Sequence, residues 1–279
     1  MSRIVLLAVN AKYIHSSLSV WVLAGGISKY SRTPYDVKVV EVTINQQNDE
    51  IINIVASLKP DVLGISAYIW NAHKLQFIME SLRERMPAII IVLGGPEASH
   101  NSEYWLGHGA DYVLRGEGEY SFPALLDALC DGRPISMESV EIITEPIDPY
   151  SQDFYDALDG RIAYLETSRG CPFKCAFCLS GGSGVRYFPL GTVKDQIKKL
   201  AQSSAKTVKL VDRTFNCNRD RAFILFEYII ELDTACCFHF EVAADLFDDL
   251  TLSLLSSAPP GRLQFEIGLQ SYHEPALKA

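Results

Sequence analysis

Short, unbroken apolar runs recur through the first half of the chain, at Ile4–Val9, Val37–Val42, Val62–Ile65, Ile89–Leu93 and Tyr112–Leu114. Runs this short, without polar alternation, are expected of strands buried on both faces. Between them, Leu18–Tyr30, Asp49–Leu58, Ala72–Arg85, Ala98–Leu106 and Tyr120–Cys130 carry apolar residues at helical spacing. Strict strand–helix alternation with short loops predicts an α/β domain with a doubly wound, five-stranded parallel sheet. A ligand of such a sheet sits outside the carboxyl ends of the strands.

A second series follows. Strand Ile162–Glu166 precedes a helix near Thr192–Gln202, then strand Thr207–Val211, helix Arg219–Leu232, strand Cys237–Val242, helix Leu246–Ser256 and strand Leu263–Ile267. Parallel strands with right-handed helical crossovers predict a (β/α) barrel or part of one. Gly132-Arg133-Pro134 closes the first series, and Glu145-Pro146-Ile147-Asp148-Pro149-Tyr150 lacks periodicity. The expected division is a first domain over 1–132, a linker over 133–160 and a second domain over 161–279. The linker is long enough that part of it should pack against the domains.

Composition narrows the possibilities. A chain of 279 residues with 48% hydrophobic content suits about two globular domains. The net charge of −9, with no lysine/arginine block, lacks the electrostatic footprint of a nucleic-acid binder. No apolar run reaches the roughly 18 residues needed to span a bilayer, and no cleavable signal precedes the first strand. A cytoplasmic location with no membrane partner is therefore expected. Seven cysteines, three of them crowded into eight positions, point to metal ligation in a reducing compartment rather than to a disulfide framework.

Those three are Cys171, Cys175 and Cys178, in Cys171-Pro172-Phe173-Lys174-Cys175-Ala176-Phe177-Cys178. Three thiolates on one strand-end loop can converge on a metal, and the missing fourth ligand leaves an open position. Arg169 and Lys174 beside them favour the thiolate form. Structural zinc would need four closed ligands, usually on small loop-rich modules, whereas this triplet caps a strand of an α/β domain. Cys217 is read as a buried loop cysteine, against a fourth ligand or a substrate-facing thiol.

The remaining strand ends carry polar residues: Asp212-Arg213-Thr214-Phe215-Asn216, then Glu241 and Asp245, then Glu266-Ile267-Gly268-Leu269-Gln270-Ser271. Each could serve a ligand or simply satisfy a structural hydrogen bond. In the first domain the strand-end loops are Asn10-Ala11-Lys12-Tyr13-Ile14-His15, Ser66-Ala67-Tyr68-Ile69-Trp70, Gly94-Gly95-Pro96-Glu97 and Arg115-Gly116-Glu117-Gly118-Glu119. Glycine pairs allow close approach of a bulky ligand, and they also make tight turns. No Gly-x-Gly-x-x-Gly follows the first strand, which argues against a dinucleotide.

The spacing of Cys171, Cys175 and Cys178 resembles the cluster loop of the radical S-adenosylmethionine (radical SAM) superfamily. The glycine-rich loops at 94–97 and 115–119, taken together, resemble the cobalamin-binding domain that precedes many radical SAM cores. The resemblance implies a [4Fe-4S] cluster on the three cysteines, with SAM on the open iron, and cobalamin on the first domain. It places Phe177 beside the SAM adenine and Gln270 and Ser271 on the ribose strand. Asp212 or Asn216 would replace the absent Gly-Glu pair that holds the SAM amino group, with Glu241 on the neighbouring strand end. Cobalamin would be met by Asn10, Tyr13 and His15, by Ser66, Ala67 and Tyr68, by Gly94, Gly95, Pro96 and Glu97, and by Gly116, Glu117 and Gly118.

Two departures accompany the resemblance. The Asp-x-His-x-x-Gly motif of some cobalamin domains is absent, so the lower axial position of cobalt is not filled from it. Of His15, His73, His100 and His108, His15 is the one in a strand-end loop. The superfamily core usually has six strands, and this series reaches four; the expectation is a fragment or truncated product, rather than a chain completed by a partner. For a complete protein the implied reaction is reductive cleavage of SAM to a 5′-deoxyadenosyl radical, with methyl transfer or another radical modification of a small-molecule or macromolecular substrate. An electron donor such as flavodoxin or ferredoxin is implied as partner. The rival is a truncated, non-catalytic protein that binds cobalamin and an iron–sulfur cluster.

Overall fold

The computed structural model describes residues 2–133, 143–176, 178, 182 and 184–277. Two compact units divide the chain, one holding residues 1–143 and 147–154, the other 144–146 and everything from 155 onward. The first begins with β1 (Arg3–Asn10), α1 (Leu18–Tyr30), β2 (Asp36–Thr43), α2 (Asn48–Leu58), β3 (Val62–Ser66) and α3 (Ala72–Arg85). It continues with β4 (Ile90–Gly94), α4 (Pro96–His100), α5 (Ser102–Gly107), β5 (Tyr112–Val113) and α6 (Gly118–Asp131). The strands form one parallel sheet in the order β2-β1-β3-β4-β5.

Ile4 to Val9 of β1 are all buried, as are all five residues of β3, because these central strands are covered on both faces. Val5, Leu7, Leu63, Ile65, Ile91 and Leu93 pack against Ile51, Val55, Leu75, Ile78 and Leu82 of α2 and α3. Each such side chain contributes about 1.5–3 kcal/mol by leaving water. On the other face α1 and α6 approach so closely that a Cβ on Gly26 would stand 2.3 Å from the Glu119 carbonyl oxygen. Only glycine fits there without moving a helix.

α7 (Gln152–Leu158) lies in the stretch read as linker, and Phe154 within it packs edge-on against Trp21 with ring centroids 5.6 Å apart. The second unit contains β6 (Ala163–Leu165), β7 (Ser168–Cys171), β8 (Gly184–Tyr187), α8 (Leu190–Ala201), β9 (Thr207–Leu210) and α9 (Arg219–Glu231). β10 (Cys237–Val242), α10 (Asp249–Ser256) and β11 (Leu263–Ile267) follow. β6, β9, β10 and β11 form a parallel sheet in the order β11-β10-β9-β6. One face is apolar, with Val208, Leu210, Phe238 and Phe240 buried; Phe215, Phe226, Phe240, Phe247 and Phe265 form a linked aromatic cluster with centroids 4.7–6.4 Å apart. The alternating residues Tyr164, Lys209, His239 and Glu241 line the opposite face.

Three local expectations are corrected. The helix expected over 98–106 is two short ones, α4 and α5, because Asn101 leaves helical geometry (φ −116°, ψ 37°) and its side chain folds back to Glu97 Oε1 at 2.7 Å. α10 starts at Asp249 rather than Leu246, since the Asp248 carboxylate accepts from Thr251 N at 2.8 Å and caps it there. β7 and β8 form an antiparallel hairpin that the hydrophobic pattern does not announce, pairing Ser168 with Tyr187 and Cys171 with Gly184. Among the described residues no helix is long and apolar enough to cross a membrane.

Candidate functional site

In the first unit, Asn10, Ser66 and Gly94 end the central strands side by side: Ala8 pairs with Ser66, and Ser66 with Gly94. The loop after β1 is held by Glu41, which accepts from Asn10 Nδ2 (2.9 Å), Ser17 N (2.7 Å) and Trp21 Nε1 (2.7 Å). Asn10 Nδ2 also donates to the His15 carbonyl at 3.0 Å. The loop after β3 is held by Asn71, fully buried, whose amide donates to the Val9 and Ser66 carbonyls, both at 3.1 Å, while its oxygen accepts from Tyr68 N at 2.9 Å.

The β4 loop is stitched to the β3 loop. Ala67 N donates to the Gly94 carbonyl (2.8 Å) and Glu97 N to the Ala67 carbonyl (3.3 Å). Gly95 turns with φ +97°, and a Cβ there would lie 2.6 Å from the Ala67 carbonyl oxygen. Pro96 opens α4 as its first residue. In the last loop Glu117 precedes Gly118, the first residue of α6, after Gly116; the Glu117 carboxylate accepts from Ile143 N at 2.9 Å.

With those polar groups engaged within the unit, the loops after β1 and β3 expose apolar side chains: Tyr13 (63%), Ile14, Ile69 (83%) and Trp70 (48%). Tyr68 and Trp70 stack with centroids 4.3 Å apart and planes 9° from parallel. These exposed apolar side chains lie at the ends of the neighbouring strands β1 and β3. The residues expected in contact with cobalamin thus sit on adjoining loops at one sheet edge.

In the second unit β6 hands over through Glu166 and Thr167 to the β7–β8 hairpin, whose tip carries the cysteines. Cys171 ends β7 and is buried, whereas Cys175 and Cys178 are exposed, on a turn closed by Cys178 N to the Cys175 carbonyl at 3.0 Å. Phe177, the expected adenine neighbour, lies outside the described residues. Arg169, expected to favour the thiolates, makes a two-nitrogen contact with Glu166 Oε2 (2.9 and 2.8 Å) and lies over the Phe188 ring, so its charge is matched locally. Among the described residues no three His, Cys, Asp or Glu side chains are already gathered at metal-ligand spacing. The three thiols are a donor set in number, softness and loop position, and that set suits an iron–sulfur cluster with one iron left open.

Asp212 and Asn216 lie deeper than a strand-end reading implies. Asp212, 1% exposed, accepts from Thr167 N (3.0 Å), Thr167 Oγ1 (2.7 Å) and Ser168 Oγ. Burial pushes its carboxyl above the usual range, and those hydrogen bonds oppose the push. Asn216, 2% exposed, exchanges two hydrogen bonds with the Ala243 backbone: Nδ2 to the carbonyl at 2.8 Å, and Ala243 N to Oδ1 at 3.0 Å. Both side chains therefore hold strand ends together.

Glu241 pairs with Lys209 Nζ at 3.2 Å on the open face, and Lys209 also reaches Glu266 Oε2 at 2.9 Å. Gln270 adopts a positive φ of 61° in an exposed segment, and Ser271 Oγ accepts from His273 N at 2.9 Å. Cys217 ends a short 3-10 turn, with its sulfur 3.2 Å from the Tyr187 hydroxyl. Cys217, expected to be a buried loop cysteine, is only partly buried; its pairing with Tyr187 follows from no spacing pattern in the sequence.

Residues 4–126 match the family described as B12 binding domain. Among curated proteins, an uncharacterized methyltransferase of Pyrococcus horikoshii is 29% identical over 68% of this chain and 48% of its own length. The cobalamin-dependent radical SAM methyltransferase TokK of Streptomyces tokunonensis is 27% identical over 57% of this chain and 28% of its own. Among solved structures, the radical S-adenosylmethionine methyltransferase TsrM of Kitasatospora setae superposes with a TM-score of 0.75, at 17% identity, over 99% of this chain and 60% of that one. At that identity the likeness is one of fold. The chain spans less than half the length of these two curated relatives.

Proposed function

We propose, from the premise that this chain belongs to the radical SAM superfamily proteins carrying a B12-binding domain, that it acts as a cobalamin-dependent radical SAM enzyme, with methyl transfer as the favoured outcome. One observation carries the proposal: a B12-binding domain and a three-cysteine hairpin at the first strand end of a second parallel sheet occur on the same chain. When bound, the [4Fe-4S] cluster supplies the electron that cleaves SAM to methionine and a 5′-deoxyadenosyl radical, and cobalamin supplies a methyl carrier.

Cys171, Cys175 and Cys178 would hold the cluster, each as thiolate. Glu241, Gln270 and Ser271 are proposed to meet SAM, while Asp212 and Asn216 fix the strand ends that present them. In the first domain the stitched loops at Asn10, Ser66–Tyr68, Gly94–Glu97 and Gly116–Gly118 would cradle the corrin, with Tyr13, Ile69 and Trp70 excluding water from it. The names of the relatives support methyl transfer as the reaction and say nothing of this chain's substrate.

The test is anaerobic reconstitution of the chain with iron and sulfide, then incubation with SAM and reductant. Formation of 5′-deoxyadenosine is expected; a fully loaded cluster that leaves SAM intact would instead identify a non-catalytic cobalamin- and cluster-binding protein. Cys175→Ala should lose iron, and wild-type iron content in that variant would remove the cysteines from the ligand set.

A further inference from the structure

The end of β9 grips the cysteine hairpin at two points. Asp212 takes hydrogen bonds from Thr167 and Ser168, where the chain enters β7. Two residues later, Thr214 Oγ1 stands 3.7 Å from Cys171 Sγ, where β7 ends. Arg221 strengthens the first grip, its guanidinium donating to the Thr167 carbonyl at 3.2 Å. Thr214 and Cys171 are both buried, whereas the other two thiols are exposed. The hydroxyl and the sulfur are thus fixed relative to each other before anything binds.

We propose that the Thr214 hydroxyl donates a hydrogen bond to the Cys171 sulfur once that sulfur is a cluster ligand, and so raises the reduction potential of the cluster. This rests on the reading that the three cysteines hold a cluster. In the protein as described, the Thr214 hydroxyl is also 2.8 Å from the Arg213 carbonyl oxygen, to which it donates. A Cys171 thiol can then give its own proton to Thr214 Oγ1. A ligating thiolate has no proton to give and is an acceptor only, so the hydroxyl turns from Arg213 to the sulfur. Reduction adds negative charge to the cluster and its sulfurs, and a donor on one of those sulfurs favours the reduced form. The buried setting makes the effect larger than at the two exposed thiols, where water can serve as donor.

The experiment compares the reconstituted chain with Thr214→Val, which keeps the shape and removes the hydroxyl, and Thr214→Ser, which keeps the hydroxyl. Each is titrated anaerobically with dithionite, in the presence of mediators and without SAM, and the reduced cluster is followed by electron paramagnetic resonance. Expected is a more negative midpoint for Thr214→Val, with Thr214→Ser close to wild type. Equal midpoints in all three overturn the proposal. Loss of the cluster in Thr214→Val with retention in Thr214→Ser supports the need for the hydroxyl, and loss in both, with circular dichroism unchanged, overturns it in favour of packing. If the wild-type chain itself takes up no iron–sulfur cluster, the cluster reading fails, a result distinct from any of these.

Discussion

The strand ends of the two sheets solve the same problem with opposite materials. In the first unit Glu41 is taken up by Asn10, Ser17 N and Trp21, and Asn71 by backbone groups, while Tyr13, Ile69 and Trp70 stay on the surface. In the second, Asp212 and Asn216 likewise turn inward, and the surface is left to the exposed thiols of Cys175 and Cys178. At both edges polar residues near the strand end hold a loop, and the exposed surface beside them includes aromatic and aliphatic side chains at one and thiols at the other. A buried polar side chain must satisfy its hydrogen bonds before it can serve a ligand, and Asn71, Asp212 and Asn216 are satisfied by their own chain.

The comparison breaks first at Asp212. Replacement by alanine leaves Thr167 N, Thr167 Oγ1 and Ser168 Oγ buried without an acceptor, and a loss on the order of 3 kcal/mol is expected. Urea unfolding followed by circular dichroism measures it; an unchanged midpoint would make Asp212 available for ligand binding after all. Next is Gly95→Ala, which forces a Cβ against the Ala67 carbonyl at a positive φ and should cost roughly 2 kcal/mol. It should also reduce the corrin absorbance retained after desalting from hydroxocobalamin, because the β3 and β4 loops separate.

Trp70→Ala sharpens the contrast between holding and facing. The side chain is half exposed, so stability should change by no more than about 1 kcal/mol, while retained corrin falls several-fold. Unchanged retention would remove the exposed aromatics from the binding face. The smallest effect is expected for Lys209→Met on the open face of the second sheet. Its pairs with Glu241 and Glu266 are partly solvated, so the change is under about 1 kcal/mol. Lys209 holds the Glu266 carboxyl below its ordinary range, so that contribution is present above the ordinary glutamate pKa and fades as pH falls through the lowered one. In Lys209→Met this part of the acid-side slope in stability should disappear.

Much of this was legible in the residue pattern where burial dictates it. β10 and β11 occupy Cys237–Val242 and Leu263–Ile267 as read, and the parallel sheet of the first unit follows from its unbroken apolar runs. The β7–β8 hairpin was not legible, because Ser168-Arg169-Gly170-Cys171 has neither apolar alternation nor β-branched residues, and its pairing comes from the long-range contact with residues 184–187. α7 was hidden among prolines and acids at 145–153. The position of Asp212 was legible but its partners were not: an acid at a strand end looks the same in sequence whether it meets a ligand or Thr167. Thr214 likewise stood in view at the 212–216 strand end, but its contact with Cys171 joins residues 43 apart and was not legible.

The most direct test of the central claim is metal and sulfide analysis, with Mössbauer spectroscopy, of the chain reconstituted anaerobically with iron-57, beside a variant in which Cys171, Cys175 and Cys178 are all alanine. The expected result is iron and sulfide in the ratio of a [4Fe-4S] cluster in the first protein and neither in the second. Zinc bound in preference to iron, or equal iron in both proteins, would contradict it.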